Sequence, residues 1–154
     1  MPVASAGLRF IDANLIMYSI GSPHPLQDPC KNILEKIKSR EILGVTNTEV
    51  LQEILYRYFS VGRKTHGEIA YQSMLRICVE VFPVQVMDTD KALEILNTVN
   101  GITSRDAIHA ATMINNGIKE IISADSHFDL IPQITRIDPL AGTCPASPVP
   151  PLAG

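Results

Sequence analysis

Short apolar runs separated by helix-length segments recur from one end of the chain to the other, and that alternation limits the folds open to it more than any other feature. LRFI (8–11), ILGVT (42–46), VEVFPVQVM (79–87), KEIISAD (119–125) and ITRI (134–137) read as strands, the third interrupted by Pro83. Between them lie stretches of a dozen or more residues with apolar positions at helical spacing. Crossovers of that length join parallel strands, and a parallel sheet must be covered by helices on both faces. The expected fold class is α/β, a three-layer α/β/α sandwich with a central parallel sheet.

Local signals set the expected boundaries. Residues 13–20 form a first helix closed by Gly21 and the proline-bearing SPHP, and Ile33, Leu34 and Ile37 mark a second helix over 28–40. Thr46 is placed to cap a helix through VLQEILYRYF, with Glu49 completing a capping box, and a helix over 64–76 packs against it. Asp88 is placed to cap DKALEILNTV, and Thr103 or Ser104 to cap RDAIHAATMINN, which Gly117 ends. Residues 1–141 then make one domain, and 142–154, dominated by Pro, Gly, Ala and Ser, an extended or disordered tail.

Composition removes several classes of function. Cys30, Cys78 and Cys144 lie far apart without a CxxC or Cys/His cluster, which argues against a zinc site and for a reducing compartment. No signal peptide and no apolar run of membrane-spanning length is evident, so a soluble cytoplasmic protein is expected. A net charge of -3 excludes a globally basic surface, so a polyanion must be held locally; Arg57, Arg63, Lys64 and Arg76 offer one small patch or a solvated helix face.

Acidic residues carry the strongest chemical signal. In open parallel sheets, ligands bind beyond the carboxyl ends of the strands. Asp12 follows LRFI and Asp125 follows EIISA, so both belong at that edge, while Glu53 and Asp106 join from helices that begin near it. Like charges so gathered raise one another's pKa values unless a cation neutralises them, and all-oxygen donors favour Mg²⁺ or Mn²⁺. Such an ion draws in a phosphate oxygen, which points to phosphodiester hydrolysis.

The same segments, FIDANLI, TNTEVLQEIL, SRDAIHAAT and IISADSHFD, resemble in type, order and spacing the motifs of the PIN-domain family over residues 8–140. The resemblance implies a Mg²⁺- or Mn²⁺-dependent endoribonuclease acting on single-stranded or looped RNA, with Asp12, Glu53, Asp106 and Asp125 as metal-holding catalytic acids. It assigns accessory roles to Asn14, Ser123 and Asp129. In compact members it also implies the toxin half of a VapBC-type toxin–antitoxin pair, with an antitoxin partner and a homodimer. The alternatives are a housekeeping RNA-processing nuclease and a silent binding module.

Each residue also has a plainer reading. Glu49 and Glu53 share a helix face, and spacing does not choose between them; the family pattern selects Glu53. Asp106 can serve as a capping acid, Asn14 as a cap, Ser123 as a strand end and Asp129 as a solvated loop acid. Arg105 is a surface or phosphate-positioning residue, His109 a structural hydrogen-bonding one, and His24, His66 and His127 surface loop residues. A haloacid dehalogenase or receiver domain is disfavoured, because Asp12 lacks the second acid those sites need: position 14 is Asn. Apolar Ile54, Leu55, Tyr58 and Phe59 exceed what one small core is expected to bury, which favours self-association.

Overall fold

The computed structural model describes residues 7–141; the tail at 142–154 and Cys144 lie outside the described residues. Five strands, β1 (Leu8–Ile11), β2 (Leu43–Asn47), β3 (Glu80–Phe82), β4 (Glu120–Ile122) and β5 (Thr135–Ile137), form one sheet in the order β3-β2-β1-β4-β5. Every pairing is parallel; Phe10 of β1 is in register with Val45 of β2 on one side and Ile121 of β4 on the other.

Among the described residues six α-helices accompany the sheet: α1 (Ala13–Ile20), α2 (Gln27–Lys38), α3 (Thr48–Ser60), α4 (Lys64–Ile77), α5 (Val86–Thr98) and α6 (Ser104–Asn115). The chain runs outward from β1 to β2 to β3, then returns past β1 to β4. With right-handed crossovers, that reversal puts α1–α4 on one face and α5–α6 on the other, the expected three layers. Direction changes at β1, so the crevice between the carboxyl ends of β1 and β4 is the switch point where ligands bind in open sheets.

β1 is buried along its whole length, and Phe10, Ile11, Val45, Ile121 and Ile122 are fully enclosed, as strands covered on both faces require. Gly44 permits one close contact: a Cβ there would meet Ile37 Cγ2 at 2.9 Å and Ile11 Cγ1 at 3.0 Å, so glycine lets α2 sit directly on the sheet. Among the described residues no helix is long and apolar enough to cross a membrane.

Several boundaries differ from expectation. Thr46 does not cap α3: it is a strand residue whose hydroxyl donates to the Ile11 carbonyl (3.0 Å), and Asn47 caps instead, its Oδ1 accepting from Val50 N–H (2.9 Å). The run 79–87 is strand only over Glu80–Phe82; beyond Pro83, α5 starts at Val86, with Gln85 as cap and Asp88 at the third position of a capping box. Of the four apolar α3 residues, Ile54 and Tyr58 are core and only Leu55 and Phe59 are exposed.

Candidate metal and active site

Three of the four acids reach the switch-point crevice through a local capping device, and Glu53 reaches it from the middle of α3. Asp12 is the residue after β1 and caps α1, with Oδ1 accepting from Ala13 N–H (2.7 Å). Its backbone N–H donates to the Ile122 carbonyl, so the last rung between β1 and β4 fixes its position. Thr103 caps α6, and Asp106 completes the box by accepting from Thr103 N–H at 3.0 Å. Asp125 caps the 3₁₀ helix Ser126–Leu130 by accepting from His127 N–H at 2.9 Å. The plain capping reading of Asp106 is therefore true, and it leaves the carboxylate in the cavity.

Asp12, Glu53, Asp106 and Asp125 line one cavity of about 400 Å³ together with Asn14, Arg57, Arg105, His109 and His127. Within it, the ligand atoms of Asp12, Glu53 and His109 lie within 4.8 Å of one another, as do those of Asp106, Asp125 and His127. Ser123 Oγ ties the β1 and β4 ends together: it donates to Asp12 Oδ2 (2.6 Å) and accepts from Asn14 Nδ2 (3.1 Å) and Asp125 N–H (3.0 Å). Asn14 also donates to Asp12 Oδ2 and accepts from Ala124 N–H, so both residues stand behind the acids.

Electrostatics differ between the two innermost acids. Burial pushes the Asp12 carboxyl above its ordinary value, with Glu53 adding repulsion, against the lowering influence of His109, the Ser123 hydroxyl and Ala13 N–H. Glu53 is also penalised by burial, yet the His109 ring and the Arg105 guanidinium outweigh that and hold it below its ordinary value. Arg105 makes the contact, Nη1 to Glu53 Oε1 at 3.1 Å, with Glu49 3.7 Å from its Nε. His109 Nε2 stands 3.9 Å from Glu53 Oε2, and both atoms are buried without a hydrogen-bond partner among the described residues. Of the two glutamates that spacing leaves open, Glu53 lines the cavity.

The donor set fits a hard divalent cation. Carboxylate oxygens dominate, one of them is an unpartnered buried Glu53 oxygen, and the nearby cations do not offset four acids.

Three placements differ from the expected ones. His127 is exposed, as expected of a surface residue, yet it also belongs to the site: its Nδ1 lies 3.3 Å from Asp106 Oδ2 and 3.4 Å from Asp125 Oδ1. The available signal was its position two residues after a capping acid, where the turn folds the ring back. Asp129 turns away, bonded to Arg136 at 2.9 and 3.0 Å. The four basic residues do not make one patch, for Arg57 lines the acidic cavity and Arg76 a different one.

The PIN domain family model matches residues 9–133. Ribonuclease VapC13 of Mycobacterium tuberculosis is 33% identical over 127 residues, covering 82% of this chain and 97% of that protein. Ribonuclease VapC23 of the same species is 32% identical over 116 residues, 75% of this chain and 91% of that one. Among solved structures, VapC20 of M. tuberculosis, a Sarcin-Ricin loop cleaving toxin, superposes with a TM-score of 0.67 at 18% identity over 79% of this chain and 92% of its own. FitAcB from Neisseria gonorrhoeae also gives 0.67, at 13% identity over 87% and 99% of the two chains. The strand alternation, the acidic crevice at the β1–β4 switch point and these matches agree: the chain belongs to the PIN-domain family, among its VapC-type members.

Proposed function

We propose that the protein is an endoribonuclease that hydrolyses RNA phosphodiester bonds with Mg²⁺ or Mn²⁺, and that it serves as the toxin of a toxin–antitoxin pair. The observation that carries this reading is the convergence of Asp12, Glu53, Asp106 and Asp125, from four separate segments, on one cavity. Relatives about one-third identical over most of both chains are named ribonucleases, which supports the same activity here. When bound, the divalent ion would make an attacking water more acidic and offset charge on the scissile phosphate.

The chain's own residues do the rest. Asp12 and Asp125, tied through Ser123, and Asp106, fixed by its capping box, hold their carboxylates in place before any ligand arrives. Arg57 and Arg105 line the same cavity and supply the positive charge that orients an RNA phosphate near an otherwise anionic floor. Solved structures of similar fold include a toxin–antitoxin complex from Klebsiella pneumoniae, and an antitoxin that covers this cavity is the expected partner here. Exposed Leu55 and Phe59 on α3 supply an apolar surface for a homodimer.

Incubating the protein with a mixed RNA pool and Mg²⁺ or Mn²⁺, beside Asp12→Asn, tests the reading. It predicts cleavage by the parent that chelation abolishes and the variant lacks. Equal cleavage by both, or none with either ion, would overturn it.

A further inference from the structure

The grouping of Asp12, Glu53 and His109 looks like a three-ligand metal site, with one ligand atom from each residue within 4.8 Å of the others. The hydrogen bonds behind the histidine say otherwise. Asn47, fully buried, accepts from Val50 N–H through Oδ1 (2.9 Å), which fixes the way its amide faces. Its Nδ2 hydrogens then go to Thr112 Oγ1 (3.0 Å) and to His109 Nδ1 (3.2 Å). Thr112 spends its own proton on the Ile108 carbonyl (3.0 Å), so it meets Asn47 as an acceptor. His109 Nδ1 must accept as well, and the ring therefore carries its proton on Nε2.

An N–H nitrogen has no lone pair to give a cation. It does have a matching acceptor: Glu53 Oε2, 3.9 Å away, is buried without a hydrogen-bond partner among the described residues and, unlike the similarly unpartnered Arg105 Nε nearby, can accept a proton. A small movement of the Glu53 side chain closes that gap, while Arg105 grips Oε1 at 3.1 Å. Phe10 and Phe128 flank the imidazole, with ring centroids 5.3 and 6.4 Å away, and hold its plane.

We propose that His109 is a positioning residue rather than a metal ligand: Asn47 orients its ring so that Nε2–H donates to Glu53 Oε2, fixing that carboxylate for the cation. Asn47 and Thr112 extend the device from the end of β2 to α6, joining the two helical layers behind the site. The role rests on Glu53 being a site carboxylate, as proposed above, whereas the tautomer itself does not depend on any nuclease activity.

Long-range ¹H–¹⁵N NMR of the histidine rings in the full chain, without ions and then saturated with Mg²⁺, tests the tautomer directly. The expected result is a proton on His109 Nε2 in both states. A proton on Nδ1, or loss of the Nε2 proton when Mg²⁺ binds, would overturn the proposal even if RNA is cleaved. His109→Phe keeps an aromatic ring between Phe10 and Phe128 without the donor, and His109→Gln keeps a donor without the ring. Loss of such an outer hydrogen bond typically costs about 10- to 100-fold in metal affinity or activity. That drop is expected in Mn²⁺ affinity and kcat for folded His109→Phe, with KM for RNA little changed and most of the loss recovered in His109→Gln. Parental Mn²⁺ affinity and kcat in His109→Phe, or no recovery in folded His109→Gln, would refute the role.

Discussion

Replacing Asp12 by Asn should stabilise the ion-free protein and remove its response to divalent cations. Asp12 is 6% exposed and shares its corner with Glu53, so its ionised form carries a burial penalty that typically amounts to several kcal/mol per ion before compensation. Ser123, Asn14 and Ala13 offset part of it. Asn keeps the Ala13 contact but turns an NH₂ toward both the Ser123 hydroxyl and Asn14 Nδ2, forfeiting two hydrogen bonds, about 2 kcal/mol together. The balance favours Asn by on the order of 1 kcal/mol at neutral pH, roughly a 3 °C rise in Tm for a domain of this size. The sign depends on pH. The folded-state pKa of Asp12 is raised, so its favourable contribution is present below the ordinary 3.8 and lost as pH rises through the raised value. The advantage of Asn should therefore vanish in acid.

Cation binding reverses the order. At a concentration 100 times its dissociation constant, an ion that binds only the folded state stabilises by about 2.7 kcal/mol, roughly 8 °C here. Thermal unfolding of both proteins with Mn²⁺ and with chelator reads all four values. The parent should be the less stable protein in chelator and the more stable one in Mn²⁺. A destabilised Asp12→Asn in chelator, or an equal Mn²⁺ shift in both, would refute the reasoning.

Asp129→Asn should leave Mn²⁺ affinity unchanged, since that carboxylate is engaged by Arg136 outside the cavity; a tenfold weaker titration would show that it reaches the ion. Its pKa is lowered chiefly by the Arg136 hydrogen bonds, so the stability it adds is present above 3.8 and disappears as pH falls through the lower folded value, a small effect because the side chain is 51% exposed. Gly67→Ala should destabilise by about 1 kcal/mol in denaturant melts, because the new Cβ would sit 2.8 Å from Tyr58 Cβ and the overpacking exceeds the gain in helix propensity. Burial pushes the Cys30 thiol up to about 11 and Cys78 up to about 12, so in a Cys144→Ser background the native protein should resist thiol reagents that label it promptly once unfolded.

Local regularities made much of this molecule legible in its sequence. LRFI and EIISA announce buried strands, and an acid directly after an apolar strand of a parallel sheet has few places to be except the ligand-binding edge. Misreadings arose where two local rules competed. Thr46 is a fair cap in isolation, but its hydroxyl is used by the Ile11 carbonyl, so the next polar residue takes the cap. VFPVQVM alternates like a strand, yet Pro83 ends the ladder, and Val86 and Met87 are exposed residues of a helical first turn. The Asn47–His109–Thr112 network has no sequence signature, because Asn47 lies 62 and 65 residues from its two partners and only the fold brings them together. His127 was hidden for a related reason: a short 3₁₀ turn, not a periodic element, aims it at Asp106.

Anomalous diffraction from crystals soaked in Mn²⁺ would test the central claim most directly, since it locates the ion independently of any substrate. The account predicts Mn²⁺ density inside the cavity, with Asp12 and at least one of Glu53, Asp106 and Asp125 at coordination distance, and none in crystals of Asp12→Asn. A well-soaked crystal with the cavity free of Mn²⁺, or with Mn²⁺ bound only elsewhere on the surface, would contradict it.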